Sequence, residues 1–115
     1  MLLRVDQSST QSLHDQLAGQ LRQLINDGEL TPGEKLPPAR ELAEGLGVNV
    51  HTLLGAFKTL RGEGLLEMRR GRGTTVTDAA PERADLVELA RSFVSEARRF
   101  GLSDDTIRTT IEAQL

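Results

Sequence analysis

The chain has 115 residues, 37% hydrophobic and 27% charged, with a formal net charge of −3 and no cysteine. This is a length for one domain plus a short appendage, and a balance for a soluble globular protein with a small core. It excludes disulfides and thiolate metal sites, offers no run near the roughly 18 apolar residues of a membrane helix, and argues against blanket polyanion binding.

In chain order, "MLLRVDQSST" lacks the long apolar run of a signal peptide, so a cytoplasmic protein is expected. Its "LLRVD" alternates weakly and suggests a short strand. "SLHDQLAGQLRQLIND" spaces Leu13, Leu17, Leu21, Leu24 and Ile25 by threes and fours, which predicts an amphipathic helix with one core stripe. "DGELTPGEKLP" breaks it, with Gly28 placed to end the helix and Pro32-Gly33 to turn the chain. "PARELAEGLGV" predicts a second, short helix with Pro38 at its start and Leu42, Ala43 and Leu46 inward. Gly45 or Gly47 takes the positive φ that ends it. Asn49 is placed to cap a third helix, "VHTLLGAFKTLRGEG", with Leu53, Ala56, Phe57 and Leu60 on its apolar side. Two short helices joined by a few residues that include glycine are the helix-turn-helix pattern.

"LLEM" and "TTVT" then predict strands joined by a basic loop, a β-hairpin. Helices followed by such a hairpin make a winged helix-turn-helix. Ala79-Ala80-Pro81 marks a boundary, giving a domain over residues 1–78 and a tail over 79–115. In the tail, "DLVELARSFVSEARRFGL" carries Leu86, Leu89, Ala90, Phe93, Val94, Ala97 and Phe100 on one face. Gly101 stops it. Leu102 and Ser103 form a hydrophobic staple and N-cap for "DDTIRTTIEAQL", which turns Ile107 and Ile111 inward, with Leu115 ending the stripe. The expected fold is therefore mainly α: three helices and a wing, followed by a two-helix tail.

The charge distribution carries more than the sum. Residues 1–78 hold 9 Lys+Arg against 10 Asp+Glu, and residues 79–115 hold 5 against 7. The dense basic cluster is "RRGR" at 69–72, on the hairpin. Glycines let a backbone turn sharply against a phosphate, and arginines suit a narrow, electronegative minor groove. One local patch can thus bind DNA while the chain stays acidic. A helix fits the major groove, with its N-terminal side chains reaching base edges. Asn49, His51 and Thr52 lie at the start of the third helix.

"LHDQLAGQLRQLINDGELTPGEKLPPARELAEGLGV", "TLLGAFKTLRGEGLL" and "GRGTTV", in this order and spacing from Leu13 to Val76, resemble the GntR family of bacterial transcription regulators. The short tail is similar to that of the YtrA subfamily; a larger effector domain would not fit in it. The resemblance implies a homodimeric repressor on a pseudo-palindromic operator in double-stranded DNA, with the tail helices at the dimer interface. The family's DNA contacts fall by position on Arg40, Asn49, Val50, His51, Thr52, Leu54, Gly55, Arg70, Gly71 and Arg72. The wing reading adds Arg69. Relatives often carry arginine or another polar residue where this chain has Val50, Leu54 and Gly55, so fewer base contacts are available. Dimerisation is assigned to Leu86, Leu89, Phe93, Val94 and Phe100.

The bland readings are an Arg40 salt bridge with Glu41 or Glu44, a solvated hairpin turn at 69–72, and a His14 partly packed on the first helix. No catalytic constellation stands out, and "GRG" is too short for a nucleotide loop and follows a strand without opening a helix. No cofactor, metal or membrane partner is implied, and an effector stays open. The alternative to a DNA-binding regulator is a protein-interaction module with weakened DNA binding that docks partners through its tail.

Overall fold

A computed structural model gives the fold and describes residues 2–115. Five helices and one two-stranded sheet follow the order α1 (Leu13–Asn26), α2 (Ala39–Leu46), α3 (Val50–Gly62), β1 (Leu66–Arg69), β2 (Gly73–Val76), α4 (Ala80–Arg99) and α5 (Asp104–Glu112). The chain divides into two compact units, residues 1–84 and 85–115. α4 begins in the first, with Ala80 and Ala84 buried in its core, and runs on into the second.

The first unit is a winged helix-turn-helix. Leu17, Leu21, Leu24 and Ile25 of α1 meet Leu53, Ala56, Phe57 and Leu60 of α3 in a core that also takes Leu30, Leu36, Ala43, Leu65, Leu66 and Val76. Leu13, at the start of the α1 stripe, is only half-buried. Ser12 caps α1 by accepting from Asp15 N–H. Arg22, mostly buried, donates through Nε and Nη2 to the Glu63 carboxylate at 2.7 and 2.9 Å, tying α1 to the end of α3. A two-toothed guanidinium–carboxylate pair fixes orientation as well as distance.

The expected strand at "LLRVD" does not form; among the described residues the segment has no backbone partner strand. Two glutamines one helical turn apart on α1 pair with the segment's backbone in place of a strand. Arg4 N–H donates to Gln20 Oε1 (2.8 Å) while Gln20 Nε2 donates to Arg4 C=O. Asp6 N–H donates to Gln16 Oε1 (2.8 Å) while Gln16 Nε2 donates to Asp6 C=O (3.0 Å). A primary amide carries a donor and an acceptor, so it mimics one rung of a ladder. Leu3 is thereby held in the core.

The hairpin strands lie one residue off the expected limits, with the register Leu66↔Val76, Glu67↔Thr75, Met68↔Thr74 and Arg69↔Gly73. A third extended segment runs beside β2. Gly33 N–H donates to Val76 C=O (2.8 Å), Leu36 N–H to Thr74 C=O (2.8 Å) and Val76 N–H to Glu34 C=O (2.9 Å), around the antiparallel bridge Lys35↔Thr75. Leu66, Thr74 and Val76 face the core, and Glu67, Arg69, Gly73 and Thr75 the other side.

In the second unit, Gly101 (φ +79°) ends α4 and Ser103 caps α5 by accepting from Thr106 N–H at 3.2 Å. Ala97 and Ile107 are its buried apolar residues, and Val94 is half-buried. Ile111 and Leu115, expected inward, are exposed. Two helices with one short turn have too little surface to enclose more than one residue from each.

Candidate nucleic-acid interface

α2 starts at Ala39 after Pro38 and ends at Gly47, whose φ of +70° is the left-handed conformation that lets Val48 N–H reach back to Ala43 C=O (3.0 Å). Of the two glycines the sequence leaves open, Gly47 is the stop, and Gly45 stays inside the helix. Two residues later Asn49 caps α3, its Oδ1 accepting from His51 N–H at 2.7 Å. The turn between the helices is therefore built from a C-terminal glycine and an N-terminal asparagine, each in its ordinary role.

Arg40 is exposed on the first turn of α2, and it pairs with neither Glu41 nor Glu44 among the described residues. On α3, Asn49 and His51 are exposed and Thr52 half-exposed at the N-terminus; Lys58 continues the outward face two turns on. Val50 and Leu54 turn the other way, half-buried against the core.

Gly55 lies in the middle of that outward face, between His51 and Lys58 by helical spacing, and it is covered. His14, from α1, lies across it: a Cβ at 55 would stand 3.2 Å from His14 Cδ2. The ring is held there from both sides, Nε2 hydrogen-bonding with Thr59 Oγ1 (2.9 Å) and Nδ1 with Asp15 Oδ1 (3.0 Å). The imidazole occupies the space that a side chain at 55 would take. The expectation for His14, partly packed on helix one, falls short of this cross-helix role, and no periodicity in α1 signals it.

The wing turns at Arg70, Gly71 and Arg72, all exposed. Arg72 N–H donates to Arg69 C=O at 3.0 Å, closing a four-residue turn. Gly71 occupies its third position with φ +79°, a conformation that disfavours any side chain there. Arg70 and Arg72 have no ion-pair partner among the described residues, whereas Arg69 is turned back along β1 to the Glu67 carboxylate. The tail residues are placed differently. Leu86, Leu89 and Phe93 are exposed on α4 and Phe100 just past its end, and Phe93 borders an apolar hollow with Thr110, Ile111, Gln114 and Leu115.

This arrangement has known counterparts. The family model for bacterial regulatory proteins, gntR family, matches residues 13–76, more than half of the chain. The chain belongs to the gntR family. It is therefore one of a family of regulators rather than of enzymes. The HTH-type transcriptional repressor YtrA of Bacillus subtilis is 35% identical over 95 residues, 83% of this chain and 72% of that protein. The solved structure of YtrA from Sulfolobus acidocaldarius, a GntR-family transcription factor, superposes with a TM-score of 0.66 at 33% identity, over 96% of this chain and 94% of that one. The AraR DNA-binding domain, solved in complex with operator ORE1, gives a TM-score of 0.57 at 28% identity over 67% of this chain and 94% of its own. Among the described residues no helix is long and apolar enough to cross a membrane.

Proposed function

We propose that this gntR-family chain is a transcription repressor that works as a homodimer in the cytoplasm, binding a pseudo-palindromic operator in double-stranded DNA and so blocking promoter access. The observation that carries the reading is electrostatic and geometric together. In an acidic chain, Arg40, Lys58, Arg70 and Arg72 are exposed cations with no ion-pair partner among the described residues, and they lie on the two helix-turn-helix helices and the wing. An exposed cation with no partner is available to a phosphate. Asn49, His51 and Thr52 supply base-edge contacts from the start of α3, and Arg70, Gly71 and Arg72 bring the wing against the backbone and minor groove. Val50, Leu54 and Gly55 leave the set, the first two because they lean on the core and the third because His14 covers it. Arg69 stays in it, its charge offset by the exposed pair with Glu67. The repressor reading draws on the name of the Bacillus subtilis relative, and the operator reading on the AraR complex.

The dimer reading rests on the tail, residues 79–115 in the sequence-based division. A soluble chain seldom leaves a row such as Leu86, Leu89, Phe93 and Phe100 to water, and Val94 extends the same face. A two-fold axis then gives the operator its symmetry.

The test is selection of bound genomic fragments by the purified protein, followed by anisotropy titrations on the selected and on scrambled duplexes. His51→Ala and Thr52→Ala should each lower the ratio of operator to scrambled affinity by about 1–3 kcal/mol. Thermal stability should change little, since neither side chain is in the core. A protein that selects no fragment at low salt is not an operator-binding repressor.

A further inference from the structure

The face of the wing turned away from the core carries three charges, and two of them cancel. Glu67 and Arg69 stand two residues apart on β1, hence on one side of the hairpin, and the Arg69 guanidinium donates to the Glu67 carboxylate. Lys35 shares that side. The bridge Lys35↔Thr75 and the pairing Glu67↔Thr75 put Lys35, Thr75 and Glu67 in one row across the three extended segments, and residues opposite one another in antiparallel strands project the same way. The acid of the row is already held by Arg69. Lys35 is exposed and has no ion-pair partner among the described residues.

Its side chain is also directed. The Lys35 stem crosses Gly73, the first residue after the wing turn: a Cβ there would lie 2.9 Å from Cε and 3.7 Å from Nζ. Any larger residue at 73 would push the stem away, apart from the strain of its φ of +77°. Gly73 thus opens a channel in which the lysine lies against the hairpin with its ammonium beside the residue that follows Arg72.

We propose that Lys35 is a phosphate-backbone contact of this chain, a third wing cation supplied from outside the hairpin, while Arg69 and Glu67 together add no net charge to the contact. The proposal rests on the DNA-binding reading above. An ammonium on a flexible stem suits a phosphate as a point charge and has no geometry for reading a base. Lys35 therefore adds affinity for every duplex alike.

The test uses the full chain and a labelled duplex of mixed sequence, titrated by anisotropy across a salt series. Lys35→Gln should weaken binding, with the log–log salt slope shallower by about 0.9 for each Lys35 in contact. Between 50 and 200 mM salt, each lost contact then changes the gap from wild type by about 3.5-fold. Lys35→Arg should restore both readouts. The charge-neutral pair Glu67→Gln with Arg69→Ala should bind like wild type. Melting curves of all variants should coincide, since these side chains lie outside the core. If wild type binds and Lys35→Gln keeps its affinity and slope, Lys35 is not a contact. If the double variant loses as much as Lys35→Gln, the cancelled pair is wrong. If wild type binds no duplex at low salt, the DNA-binding reading itself has failed, which these variants leave separate.

Discussion

α1 and α4 carry nearly the same pattern, leucines and bulky apolar residues at helical spacing on one side. α1 buries it: Leu17, Leu21, Leu24 and Ile25 are 0–8% exposed. α4 does not: Leu86, Leu89 and Phe93, with Phe100 just past its end, are 39–80% exposed. An amphipathic stripe shows that something must cover a face. It does not show whether the cover is in the same chain. For α1 the cover is α3, in the same compact unit and matched by Leu53, Phe57 and Leu60. α5 is too short to cover α4, and within the second unit it brings only Ile107 to full burial.

The largest test of this contrast is in the closed face. Leu21 is fully buried, so Leu21→Ala removes its transfer energy and leaves a cavity. It should cost about 2–5 kcal/mol of unfolding free energy, read from urea denaturation. Against a total of about 5–15 kcal/mol for a small domain, this is enough to unfold much of the population at physiological temperature. A loss under 1 kcal/mol would mean that the α1–α3 seam is not the core.

The open face should respond in the opposite sense. Phe93→Asp alters an exposed side chain, so unfolding of dilute monomer should move by no more than about 0.5 kcal/mol. Sedimentation should nevertheless shift from dimer to monomer, and operator affinity should fall with the loss of the second half-site. If wild type sediments as a monomer at tens of micromolar, the dimer reading fails and the α4 stripe has another cover.

The same contrast explains how far the sequence could be read. The limits of α1, α2 and α3, the Asn49 cap and the glycine-closed wing follow from local rules, and each lies within a residue or two of its expected place. α4 does not, because it starts at Ala80, inside the expected boundary and five residues before Asp85, and α5 ends at Glu112, three residues short. What escaped were the hydrogen-bonded links between residues far apart in the chain. Gln16 and Gln20 pair with an N-terminal segment that strand patterning had claimed. Lys35 belongs to the wing through a bridge to Thr75, 40 positions away. His14 completes α3 from α1. None has a periodic signature. The available hint was a glycine out of place: Gly55, mid-helix, is explained only by its distant neighbour.

That pairing gives the smallest and most specific test, because the outward face of α3 is neither closed like α1 nor open like α4. A glycine inside a helix costs about 1 kcal/mol relative to alanine, so Gly55→Ala should stabilise the protein if nothing else changes. His14 opposes it. The new Cβ would lie 3.2 Å from Cδ2, tighter than an ordinary contact, and the ring cannot retreat without weakening its hydrogen bond to Thr59 or to Asp15. The gain and the crowding are of the same order, so Gly55→Ala in the wild-type background should leave stability within about 0.5 kcal/mol. In a His14→Ala background the crowding is gone, and the same change should stabilise by about 1 kcal/mol. The double-mutant cycle thus predicts a coupling of about 0.5–1 kcal/mol between residues 41 positions apart. Additive effects would mean that the imidazole does not rest on α3, and that the absence of a side chain at 55 has another cause.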